Sequence, residues 1–191
     1  THHLAGGAGL KLRPVTEVIR SLATLGVFNV QLYGSASLRC LEMYQKGEHL
    51  QPADVVQLLW AVCKDAEQHE SVLRGLMNVV VGLRGRAEFG QLTQALAAVA
   101  SARIWEETFV RQVCEALGSK TVAAHHDREA VDALWALAVF GWQDPVVQRL
   151  ADQWGEHLEA YEVYLTARVL WALSTLGEYD DALFRGGLKR E

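Results

Sequence analysis

Cysteine, proline and long apolar runs are all scarce in this chain, and each scarcity removes a class of protein. There are three cysteines in 191 residues, Cys40, Cys63 and Cys114, and their spacing forms neither a metal-binding pattern nor a disulfide framework. Each falls in an apolar helical pattern, where a reduced core thiol is the ordinary explanation, so a reducing compartment is expected. The three prolines, Pro14, Pro52 and Pro145, all stand where a helix would start, the place in a helix that tolerates a residue without an N–H. The longest apolar candidate for a membrane span, Leu76 to Leu83, is broken by Asn78 and Gly82 and falls short of the roughly 20 residues that cross a bilayer. Net positive charge is missing as well. At a formal charge of −5 the chain has no global attraction for a polyanion, so any nucleic-acid contact must be local.

Catalytic and metal-binding patterns are also lacking. Gly6, Gly7, Gly9 and Lys11 match neither a phosphate loop nor a dinucleotide fingerprint, and read as a flexible terminus. His125, His126, Asp127 and Glu129 cluster in a polar connection that ends in an Asp helix cap; no second ligand group accompanies them, and no metal or other cofactor is expected. No Ser, Cys or Thr nucleophile sits in a recognisable motif and the acidic residues are dispersed, so the chain is read as non-enzymatic, with no small-molecule substrate. What is present is a composition half apolar and 21% charged, enough for one domain or one continuous array and unlike a disordered chain. The opening on Thr1 reads as part of something longer.

Comparison of the chain with itself is informative. Residues 133–141 read ALWALAVFG and residues 169–177 read VLWALSTLG. Anchoring on Leu137 and Leu173, the equivalent earlier positions are Leu22, Val62 and Val99, giving separations of 40, 37, 38 and 36 residues, a period of helix-pair solenoids. Two residues before the anchor stand Trp60, Trp135 and Trp171, with Ala97 and Arg20 completing the column. One residue before it stand Ser21, Ala61, Ala98, Ala136 and Ala172, small enough to let a second helix approach closely. Four residues after it, Gly26, Gly141 and Gly177 can take the left-handed conformation that ends a helix, whereas Ala66 and Arg103 stand there in repeats two and three.

A second helix follows in each repeat. Gly141, Trp142, Gln143, Asp144 and Pro145 supply a stop, a cap and a first helical residue, and Val147, Leu150, Trp154 and Leu158 continue at helical spacing. Similar stripes run through Val110, Val113 and Leu117, and through Val72, Leu73, Leu76, Met77 and Val80. No segment argues for a strand. The expected fold is all-α, an α-solenoid of about five helical-hairpin repeats spanning approximately 14–51, 52–87, 88–126, 127–160 and 161–191.

The string LWALAVFGWQDPVVQRLAD from Leu134 to Asp152, echoed by LWALSTLGEYDDAL from Leu170 to Leu183, resembles the octotricopeptide repeat and its relatives, the heptatricopeptide repeats and the helical arrays that accompany RAP domains. Repeat three departs from the pattern in lacking both Trp and Gly, and repeat one in lacking Trp; no RAP domain is recognisable. The resemblance implies a right-handed stack of helical hairpins acting in the RNA metabolism of mitochondria and chloroplasts. The function it implies is that of an RNA-associated organellar protein, a structural subunit of a mitochondrial ribonucleoprotein such as the mitoribosome or an RNA processing or stability factor. Its partners would be organellar rRNA or mRNA and neighbouring proteins, in the mitochondrial matrix, with chloroplast or cytoplasm as other locations. The alternative is a protein–protein scaffold without RNA contact. Since the matched residues form the packing part of the repeat, no base-reading position is carried over.

Contact candidates follow from position in the repeat. Arg84 and Arg86 lie in a connection between repeats and Lys120 in the equivalent connection one repeat later, so they are expected along one edge as RNA contacts. Trp105, Trp142 and Tyr179 stand in turns and are the candidates for exposed aromatic contacts. The Trp column is read as packing between repeats rather than as a platform for bases, because Leu and Ala surround each ring; on that reading Trp135→Ala would cost about 3–5 kcal/mol. Leu183, Phe184 and Leu188 are expected to be covered by flanking chain or another subunit.

Overall fold

The computed structural model describes residues 12–121, 127–155 and 163–178. Among them are nine helices and no strand: α1 Leu12–Thr24, α2 Val30–Gln45, α3 Pro52–Cys63, α4 Ala66–Leu83, α5 Phe89–Ser101, α6 Glu107–Ser119, α7 Asp127–Phe140, α8 Pro145–Gly155 and α9 Val163–Leu176. None is long and apolar enough to cross a membrane.

Local chemistry accounts for the boundaries. Pro52 and Pro145 are the first residues of α3 and α8, and Pro14 lies in the first turn of α1. The Asn29 side chain accepts the Leu32 N–H at 2.9 Å, and Asp144 accepts that of Val146 at 3.0 Å, each satisfying a donor that the helix start leaves open. At the other ends, Gly26, Gly141 and Gly177 take φ of +70°, +62° and +75°. Repeat two needs no such turn, since only Lys64 and Asp65 separate α3 from α4. In repeat three it is Arg103 that adopts the left-handed conformation, at φ +55°.

Each odd-numbered helix packs on the next odd one, from α1 through α9, and each even-numbered helix on the next even one, from α2 through α8; within a pair, α1 touches α2, and so on to α7 and α8. The core lies between the two rows, where Ile19, Tyr33, Leu59, Leu76, Leu92, Phe109, Leu134 and Leu150 are all fully buried. Side chains advance by about 100° per residue around a helix, so three consecutive positions serve three neighbours. The anchors Val62, Val99, Leu137 and Leu173 are buried, as are Ala61, Ala98, Ala136 and Ala172 beside them. Ser21, the first member of the small-residue column, is exposed together with Val18 and Leu25, because no described helix precedes α1. On the even row, glycine does the same work as alanine: a methyl at Gly75 of α4 would stand 2.8 Å from Leu41 Cδ1 of α2.

Three buried hydroxyls bond locally. The Thr16, Ser37 and Thr93 hydroxyls donate to the carbonyls of Arg13, Tyr33 and Gly90, and the Tyr33 hydroxyl donates to Val27 O at 3.1 Å, tying α2 to the turn after α1. Cys40, Cys63 and Cys114 are buried free thiols, and burial pushes all three up to about 12. They are therefore poor nucleophiles near neutral pH.

Two outcomes follow from this packing. Ala136→Leu inserts volume where α7 meets its neighbours and should lower the unfolding free energy by about 1–3 kcal/mol; an unchanged urea midpoint would mean that the helices do not meet through the alanine column. A thiol-specific chromogenic reagent at pH 8 should titrate three thiols in urea and almost none in the native protein; rapid native reaction would place a cysteine outside the core.

Candidate functional site

The odd row carries a groove of about 440 Å³. Its floor is α5, where Gly90, Gln94, Ala97 and Ser101 fall at i, i+4, i+7 and i+11 and so within one strip of the helix surface. One wall is Trp60 and Lys64 at the end of α3, the other Arg128, Asp132 and Trp135 of α7, with Arg168 of α9 behind it. Trp60, Ala97 and Trp135 occupy the same column of the repeat, two residues before the buried anchors. The rings absent from repeat three leave a hollow flanked by two indoles.

Neither indole is sealed in the core. Trp60 and Trp135 pack on it with one side and are half-buried, where the sequence placed them between repeats; Trp171 is 48% exposed and lines a different hollow. Each groove indole carries a cation: Lys64 Nζ lies 5.1 Å from the Trp60 ring centroid and the Arg168 guanidinium 5.0 Å from that of Trp135. Arg168 also bridges to Asp132 at 2.7 Å, and Arg128 donates to the Tyr164 hydroxyl. Both contacts join residues 36 apart, so matching positions of adjacent repeats touch. With side chains about one-third exposed, the ion pair is worth at most about 1 kcal/mol. Its consequence is orientation, since it fixes the Arg168 guanidinium over an indole.

A second column was legible in the internal alignment and overlooked. Five residues before the anchors stand Glu17, Gln57, Gln94, Asp132 and Arg168. Each has a side chain able to donate or accept hydrogen bonds, and the last three line the groove. The signal was a position uniformly polar yet holding four different residue types in five repeats, alongside columns that stay small or aliphatic.

The other sequence candidates lie elsewhere. Lys120 Nζ donates to Gly85 O at 3.0 Å, which brings it onto the turn holding Arg84 and Arg86. Arg84 donates to Val81 O at 2.8 Å, and Arg86 Nη1 lies 3.3 Å from His49 Nδ1. Arg149 of α8 reaches the carbonyls of Leu117, Gly118 and Lys120. Arg84 and Lys120 bond carbonyls at or just beyond the end of α4, and Arg149 those at the end of α6, a favourable place for positive charge; none of the four cations lines the groove. Trp105 is exposed; Trp142 is half-buried against it, with its Nε1 buried and without an acceptor among the described residues. Tyr179, Leu183, Phe184, Leu188, His125 and His126 lie outside the described residues. Among those described, no group of three side chains could hold a metal ion.

Compared with known proteins, the chain matches no family model and no curated protein.

The half-buried indole changes the expected cost of truncation. Trp135→Ala should destabilise by about 2 kcal/mol in urea unfolding, below the 3–5 kcal/mol of a fully buried ring; a loss at or above that range would mean the ring is shut in the core.

Proposed function

We propose that the protein is an α-solenoid of about five helical hairpins, an RNA-associated organellar repeat protein that holds a single strand along its odd-helix row. The resemblance of its repeats points to a mitochondrial ribonucleoprotein, as a structural subunit of an assembly such as the mitoribosome or as a processing or stability factor. The reading is of binding without turnover. Its main support is the groove, where a polar column that varies between repeats runs beside indoles at repeat spacing. Single-stranded RNA is recognised by stacking its bases on aromatic or guanidinium planes and bonding their exposed edges. Gln94, Asp132 and Arg168 supply three different edge-bonding groups, and Trp60 and Trp135 the planes. Lys64, Arg128 and Arg168 supply local positive charge within an acidic chain.

The scaffold reading is favoured by one observation, the net charge of −5, to which Glu129 and Asp132 contribute beside the groove. A basic protein segment would then occupy the same row. Salt dependence separates the two. With Lys64 and Arg128 each neutralising a phosphate at roughly 0.7 per contact, log K for single-stranded RNA should fall against log salt with a slope of about −1.4. Trp135→Leu should weaken binding by about 1–3 kcal/mol, the worth of one stacked base. Fluorescence titration of mixed-sequence RNA would check both; no binding at low salt would transfer the groove to a protein partner.

A further inference from the structure

A second hollow, sharing no residue with the groove, opens at the C-terminal ends of α5, α7 and α9. It encloses about 530 Å³ and is lined by Arg103, Trp105, Ala138, Val139, Phe140 and Trp171. We infer that this aromatic cup docks a peptide segment of a partner protein that presents a large apolar side chain beside a carboxylate.

Three observations carry it. The first is a prebuilt apolar surface. Trp105, Val139 and Trp171 are all exposed, a costly arrangement for solitary packing and a frequent one at interfaces. Trp105 is held from behind by Phe140 at 5.4 Å between centroids and by Trp142 at 5.7 Å. An anchored ring loses little freedom when a ligand covers it.

The second is charge. Arg103 is the one ionised group lining the cup among the described residues. It is exposed and makes no ion pair or side-chain hydrogen bond among the described residues. A single guanidinium beside an apolar hollow complements one carboxylate next to one apolar anchor.

The third is the backbone. Arg103 holds φ +55° at the position where Gly26, Gly141 and Gly177 hold +62° to +75° in other repeats. A side chain in this conformation is strained and glycine is not. Strain kept at one member of a glycine column, with the offending side chain at the rim of a hollow, is the pattern of a site that trades stability for contact.

A nucleotide fits less well. Among the described residues, the lining offers no hydrogen-bonding side chain beyond the indole N–H groups and the guanidinium, and no side-chain acceptor, so a base amine buried there would go unsatisfied. An aliphatic or aromatic side chain leaves nothing unmet.

The test uses the whole chain labelled with ¹⁵N, observing the indole N–H signals while adding millimolar N-acetyl-Phe-Asp-amide, its Phe-Lys counterpart, or adenosine monophosphate. The Phe-Asp peptide should shift the Trp105 and Trp171 signals saturably and bind at least fivefold more tightly than Phe-Lys. Arg103→Gly should abolish that preference while raising Tm by about 2 °C, since it relieves the backbone; a purely structural Arg103 would move Tm and leave the preference intact, which overturns the proposal. Trp105→Ala should remove binding of both peptides. Stronger shifts of the same signals by the nucleotide, or no shift by either peptide, would also overturn it.

Discussion

Close approach of the odd-numbered helices through a rank of alanines is the constraint on which this molecule rests. Ala61, Ala98, Ala136 and Ala172 are almost completely buried, and at each a longer side chain would push neighbouring helices apart along their length. Once those residues face the adjacent helix, helical rotation leaves no freedom elsewhere. The following residue must point at the even row, and the preceding one, together with the residues three before it and four after it, must point away from the core. The groove is thus a by-product of packing. Its floor is low where Ala97 replaces Trp, and its walls stand where Trp60 and Trp135 remain.

Much of this was readable from the residues. Proline and Asp or Asn marked helix starts, glycine marked stops, and the alanine column identified a close contact, because each reports a local requirement that the sequence must satisfy by itself. Lys120 could be placed on the turn at Arg84–Arg86 for a similar reason: the connections are equivalent, and one repeat separates them. The exposure of the Trp column was harder to read. An inner helix such as α7 is covered on three sides, so apolar residues surround each indole in sequence whether or not it is sealed in space. Periodicity locates the core side of a helix and says little about the edge of the buried stripe. The variable polar column needed no coordinates, only the question of which positions change between repeats while remaining able to bond.

The basic edge shows a different limit. Arg84, Arg86 and Lys120 have the charge and the alignment of a phosphate-binding stripe, yet Arg84 bonds a carbonyl in the last turn of α4, Lys120 the Gly85 carbonyl just beyond it, and Arg86 faces His49. A cation satisfying a helix terminus and one awaiting a phosphate look alike in a sequence, since both favour a turn after a helix. What distinguishes them is the reach of a side chain across a repeat boundary. Arg149 illustrates it, spanning from α8 to three carbonyls at the end of α6.

Arg103 brings the constraints of fold and surface into conflict at one residue. The turn after α5 takes the left-handed conformation, as do the turns after α1, α7 and α9. Glycine adopts it without strain, and three repeats use it. A side chain at this position makes no hydrogen bond to the helix it ends among the described residues: its guanidinium is exposed and its backbone is bent against preference. Packing therefore gives no reason for arginine, and neither does the turn. The remaining role for it lies in the hollow that its side chain lines, walled by Trp105 and Trp171, where it is the one charge among the described residues. On the solenoid reading proposed above, stability is summed over many interfaces, so the cost at one turn is borne by the stack as a whole.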